Sequence, residues 1–108
     1  MLSKKQRIPR ELFTELLLRS KYANSEHFSL RYRTNTDKTA RFGVSVSKKV
    51  SKSAVTRNTI RRRVYSTLRS ILSSFPPGLF LFVAKPKTQT LKIEKLLEEI
   101  KILINSIN

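Results

Sequence analysis

The sequence predicts a single-domain α/β sandwich of the α+β kind: a small mixed sheet of three to four strands with helices, in the order α-β-β-(β)-α-β-α. Three observations lead there. Residues 26–33 and 41–47 alternate apolar and polar side chains, the period of a strand with one buried face. Residues 56–74 place Ile60, Val64, Leu68 and Ile71 on one stripe when wound at about 100° per residue, as a core-facing helix does. Residues 79–84, Leu-Phe-Leu-Phe-Val-Ala, are apolar throughout, which suits a strand buried on both faces. With 108 residues, 39% of them apolar, the chain makes one compact domain, residues 1–108, with a modest core.

Residues 1–7 hold Lys4, Lys5 and Arg7 and read as a flexible basic arm. Pro9 suits a first helical turn, where its missing N–H costs nothing. Glu11 favours the positive start of that helix, and Arg19 and Lys21 its negative end. Leu12, Phe13, Leu16 and Leu17 then recur at helical spacing, so residues 9–20 form a short amphipathic helix. Phe13 suits a core position, the commoner fate for such a residue, or an exposed stacking platform on a basic protein.

Phe28, Leu30 and Tyr32 form the apolar face of the first strand, and His27 falls among its outward, surface positions. Thr34 to Lys38 is rich in turn formers and reads as a hairpin loop into the second strand, whose inward residues are Phe42, Val44 and Val46. Gly43, on the opposite face, weakens that strand and marks a bulge or a close approach of another group to the backbone. Pro76-Pro77-Gly78 ends the long helix in a turn before the apolar strand. Glu94 sits in the first turn of a last helix whose apolar face is Leu96, Leu97, Ile100, Leu103, Ile104 and Ile107. The connection from strand 41–47 through the helix to strand 79–84 suits a βαβ crossover, right-handed by the general rule if those strands are parallel neighbours.

Function is concentrated in residues 48–63. Seven of the sixteen are Lys or Arg and none is acidic, and no acid occurs anywhere from Lys38 to Ile93. On the helical wheel Asn58, Arg61, Arg62, Tyr65 and Arg69 share an outward strip, away from the Ile60–Ile71 stripe. A merely solvated helix face mixes both signs of charge for i,i+4 pairing. Guanidinium forks suit paired phosphate oxygens and stack on bases. The strip therefore reads as a nucleic-acid contact.

The whole chain agrees. With 23 basic and 7 acidic residues it carries a formal charge of +16, which calls for a polyanionic partner. A membrane surface fits poorly: no apolar run approaches the about 20 residues of a span, and the helical apolar stripes are needed by the core. No signal-peptide pattern opens the chain, and the absence of Cys fits a reducing cytoplasm and excludes disulfides and thiolate metal sites. One His and seven scattered acids provide no triad and no metal cluster, and two glycines make no phosphate loop. An autonomous nuclease is therefore disfavoured. The chain is a binder, of RNA rather than DNA, because Phe13 and Tyr32 could stack unpaired bases and no helix-turn-helix reader precedes the motif.

Phe42-Gly-Val-Ser-Val-Ser-Lys-Lys-Val50, followed by Lys52, Ala54-Val55, Arg57-Asn58 and Ile60-Arg-Arg62, closely resembles the bacterial ribonuclease P protein family. The pieces are weak singly and specific in combination, and the resemblance covers roughly residues 4–104. It implies an α/β sandwich with a left-handed βαβ crossover, against the general rule. It implies a protein that assists a catalytic RNA in removing the 5′ leader of precursor tRNA by hydrolysis. The partners are then the catalytic RNA and precursor tRNA, with no membrane. Magnesium is used through the RNA, and no organic cofactor is needed. Lys48, Lys49, Lys52, Arg57, Asn58, Arg61 and Arg62 match the family's basic motif and should face the catalytic RNA. Tyr65 stands where a third basic residue is common, with Arg69 one turn on. Phe13 matches an aromatic of the leader cleft. Leu17 replaces a second aromatic one turn later, and a cleft tyrosine aligns with Arg31, leaving Tyr32 at the neighbouring, opposite-facing position. The competing reading is a structural RNA-binding protein of the ribosomal kind, which explains the charge but not the joined motif.

Overall fold

The computed structural model of the protein describes residues 3–34 and 39–107, the side chains of Thr90 and Ile93 excepted. Its helices are α1 (Phe13–Leu18), α2 (Ala54–Ser70) and α3 (Ile93–Ser106). Its strands are β1 (Lys21–Asn24), β2 (Phe28–Thr34), β3 (Ala40–Ser45) and β4 (Gly78–Ala84), arranged β1-β2-β4-β3. β1 is a fourth strand that precedes the two expected ones, where the predicted order had left room for an extra strand after them.

β4 occupies the interior of the sheet, antiparallel to β2 and parallel to β3. The chemistry of β4 dictates this, because it alone is apolar on both faces. Phe80, Phe82 and Ala84 join the large core beneath α2 and α3, with Phe28, Leu30, Phe42 and Val44 of the neighbouring strands. On the other face Leu81 packs with Ile8 and Leu16 in a smaller cluster that Leu79 and Val83 flank. Insertion of β4 corrects the hairpin expected between β2 and β3. Those strands are not neighbours; the antiparallel hairpin pair is β1–β2, with Lys21 opposite Tyr32 and Asn24 opposite Ser29. Of the expected loop, residues 35–38 lie outside the described residues. Gly78 permits the crossing at the start of β4: its φ is +153°, and a Cβ there would stand 2.3 Å from the Arg33 carbonyl oxygen.

The first helix is shorter than expected. Pro9 precedes a 3-10 turn at Arg10–Leu12, and α-helical geometry begins only at Phe13. Residues 3–8 form no free arm. Arg7 bridges to Phe42, the Ile8 N–H donates to the Phe42 carbonyl at 2.8 Å, and Ile8 is buried. Burying that one branched side chain fixes the basic residues on either side of it along the outer edge of β3.

His27 is not a surface residue. It is buried at the β1–β2 corner, with Nδ1 2.7 Å from Glu99 Oε1, while its backbone N–H donates to Glu99 Oε2 at 2.9 Å. The Ser25 hydroxyl donates to the same carboxylate. Glu99 thus ties α3 to the sheet.

A candidate nucleic-acid interface

α2 begins where Ser53 caps it, its hydroxyl accepting the Thr56 N–H at 3.2 Å. The preceding loop turns on a Val50 N–H to Ser47 carbonyl bond of 3.0 Å and is anchored by the buried Val50 side chain. Lys48, Lys49 and Lys52 stand exposed on it. Arg57 braces the loop, donating from Nη1 to the carbonyls of Ser51 (2.9 Å) and Lys52 (3.0 Å). Asn58 accepts from the Arg61 guanidinium one turn on, which orients that fork along the helix. Arg62 and Arg69 are exposed, and so is Arg63.

Tyr65 departs from the outward strip assigned to it. It is 8% exposed, and its hydroxyl accepts the Val44 N–H at 3.2 Å. The reason is the sheet edge, where β3 has β4 on one side only and Tyr65 supplies a partner for the Val44 amide. Burial pushes the Tyr65 phenol up, against the pull of the Val44 hydrogen bond and the Arg7 and Arg61 charges. Tyr65 is therefore a neutral wedge between α2 and β3.

That wedge joins two grooves. One, of about 960 Å³, runs between the docked N-terminal segment, α1 and β3, and is lined by Lys4, Lys5, Arg7, Arg10, Arg41 and Arg61 together with Glu11, Phe13 and Ser45. The other, of about 610 Å³, lies over α2 at Val55, Asn58 and Arg62. Arg7, Arg61 and Tyr65 line both. Phe13 is half-buried in the first, seated on the sheet where Gly43 leaves room for its ring. The close approach expected at Gly43 is made by Phe13.

The other expected cleft residues separate. Arg31 lies on the Phe13 face of the sheet, opposite Leu81 of the smaller cluster. Tyr32 lies on the other face, its ring stacked on Phe80 at 6.5 Å and 11° and packed against the large core. Strand alternation makes this unavoidable, so Tyr32 cannot share a face with Phe13 and Arg31, and Arg31 itself stands outside the groove around Phe13. Leu17 is 44% exposed on α1 and does not line the groove around Phe13. Arg10 and Arg41 are groove residues missed in the sequence reading; only their charge was visible there. Tyr22 was missed as well, because β1 has just four residues and no clear alternation. It shares the Phe13 face, with the Arg31 guanidinium 5.2 Å from its ring centroid.

Among the described residues no three His, Asp or Glu side chains come together as a metal site, and no helix is long and apolar enough to cross a membrane. The arrangement can bind and orient a polyanion. It presents cations in two connected grooves with one aromatic ring between strand and helix.

The family model described as Ribonuclease P matches residues 2–108. A ribonuclease P protein component from Cyanothece sp. is 32% identical, over 97% of this chain and 94% of its own length. One from Rippkaea orientalis is 32% identical over 89% of this chain and 80% of its own. In fold, a mutant RNase P protein of Staphylococcus aureus superposes with a TM-score of 0.86 at 20% identity, covering 96% of this chain and 89% of that one. The RNase P protein of Thermotoga maritima does so at 0.84 and 21%, covering 94% and 97%. The matched family spans essentially the whole chain, including the basic loop, α2 and the Phe13 groove, and nothing favours the ribosomal alternative. This chain belongs to the ribonuclease P protein family, the protein component of the ribonucleoprotein that processes the 5′ ends of tRNA.

Proposed function

We propose that α2 and the loop before it dock on the catalytic RNA while the groove at Phe13 receives the unpaired 5′ leader of precursor tRNA. The observation that carries this reading is the junction at Arg7, Arg61 and Tyr65, where a groove holding an aromatic ring runs into the basic ridge of α2. An RNA docked on the ridge would lie beside a strand held in the groove. Phosphates would meet Lys and Arg along both, and an unpaired base could stack on Phe13.

The protein's share in hydrolysis is to bind and orient. On this reading the ions that activate water and stabilise the leaving oxygen would be held by RNA phosphates. The neutral Tyr65 and the Arg7 and Arg61 guanidinia would set the angle between ridge and groove. Screening of RNA–substrate repulsion by these cations would lower the magnesium needed for productive binding. The working compartment is the cytoplasm, where precursor tRNA is made.

The test is cleavage of precursor tRNA at low magnesium by a bacterial catalytic RNA with and without this protein. The expected result is leader removal by the pair and none by the protein alone. No stimulation by folded protein, across related catalytic RNAs, would refute the docking.

A further inference from the structure

One cross-strand row runs over the Phe13 face of the whole sheet. Tyr22 is opposite Arg31, Arg31 opposite Leu81, and Leu81 opposite Gly43, against which the Phe13 ring rests. The row spans three interstrand spacings, about 14 Å. Its centre, Leu81, is fully buried beneath Leu16, so the two ends stand apart as separate aromatic positions. The next row is built of small side chains: Ser45 opposite Val83, Val83 opposite Ser29, and Ser29 opposite Asn24. Ser45 also lines the groove at Phe13. That row of residues therefore runs from the groove across the sheet to β1.

At the far end Tyr22 is 63% exposed, with the Arg31 guanidinium held over its ring. Arg31 Nε is buried without a hydrogen-bond partner among the described residues, and the guanidinium rests against the Tyr22 ring. An aromatic ring with a cation at its face, on the surface of a strongly basic protein, matches how unpaired nucleotides are held. A surface tyrosine that merely supports β1–β2 pairing is the plainer alternative, and it would act on stability alone.

We infer that Tyr22 and Arg31 form a second base-stacking position for single-stranded RNA, at the end of the strand path remote from Phe13. Resting on the leader reading above, this makes Tyr22 the residue that engages the more distal leader nucleotides. Arg31 positions the ring and supplies charge for the adjacent phosphate.

The experiment uses the assembled ribonucleoprotein and precursor tRNAs whose leaders grow by one nucleotide at a time. With wild-type protein, affinity should climb as the leader lengthens, in an early step at Phe13 and a later one at Tyr22. Tyr22→Ala should abolish the later step, a loss of about tenfold for long leaders, and leave mature tRNA and short leaders unchanged. Tyr22→Phe should retain it. A Tyr22→Ala protein that follows wild type at every length, or that weakens mature tRNA equally, overturns the inference while leaving the leader reading intact. Wild type with no dependence on leader length overturns both. Thermal melting of the free variant separates the plainer role, which would move the melting temperature and not the length profile.

Discussion

Phe13 and Gly43 are in direct contact across the sheet: a Cβ on Gly43 would stand 2.8 Å from both Cε1 and Cζ of the Phe13 ring, and 3.1 Å from Leu81 Cδ1. Gly43 is thus the seat of the aromatic side of the groove. Gly43→Ala forces the ring off the strand, because Leu81 closes the other way. Overpacking of this kind should cost about 1–3 kcal/mol of stability. In the assembled enzyme it should weaken precursor tRNA more than mature tRNA, in the same direction as Phe13→Ala. Binding of both substrates by both variants checks this; equal losses for precursor and mature tRNA would make the contact purely structural.

Arg57 and Arg62 carry the same charge one and a half turns apart but do different work. Arg62 is exposed, so Arg62→Ala should weaken the catalytic RNA by about 1–3 kcal/mol, the range for a charge-assisted contact. It should also reduce the slope of log affinity against log salt by about 1. Arg57 holds two loop carbonyls from one nitrogen. Arg57→Lys preserves charge but not the planar fork. It should lower RNA affinity with the salt slope unchanged, since Lys48, Lys49 and Lys52 lose their fixed loop. Titrations at several salt concentrations distinguish the two.

Tyr65 tests the boundary between contact and support. Its hydroxyl serves Val44, so Tyr65→Phe should cost about 1 kcal/mol of folding stability and leave RNA affinity almost unchanged. Denaturant unfolding beside an RNA titration measures both. A large affinity loss without destabilisation would return Tyr65 to the outward strip.

That strip also shows how far the sequence was legible. Charge and helical spacing located α2, its buried stripe and its arginines, because those follow from local periodicity. Tyr65 was misplaced because its partner, the Val44 amide, belongs to a strand edge whose exposure depends on the strand order. β4 moved to the centre for a reason visible in its composition, yet the hairpin assumption hid the consequence. Arg31 and Tyr32 were correctly seen as opposite-facing, and the register then decided which one joins Phe13. His27 and Glu99 are 72 residues apart in sequence, and no local pattern could pair them. Tyr22 lay in a strand too short to announce itself.

The His27–Glu99 pair yields the last expectation. Burial pushes the Glu99 carboxyl up, but hydrogen bonds from the Ser25 hydroxyl, the His27 ring and the His27 amide, with the His27 charge, outweigh it, and the group titrates below its ordinary value of 4.5. A carboxyl held lower in the folded state than in the unfolded chain stabilises the fold fully above the unfolded value. That contribution is lost as pH falls through the lower, folded value. Melting temperatures of wild type and Glu99→Gln should therefore differ most from neutral pH down to about pH 5 and converge under acid. The amide keeps an acceptor for Ser25 but not the charge or the paired oxygens that His27 engages. Curves that stay parallel through acid would show that the shape of the contact matters and its ionisation does not. Convergence would identify this buried pair as an acid-sensitive tie between α3 and the β1–β2 corner, remote from the Phe13 groove and the α2 ridge.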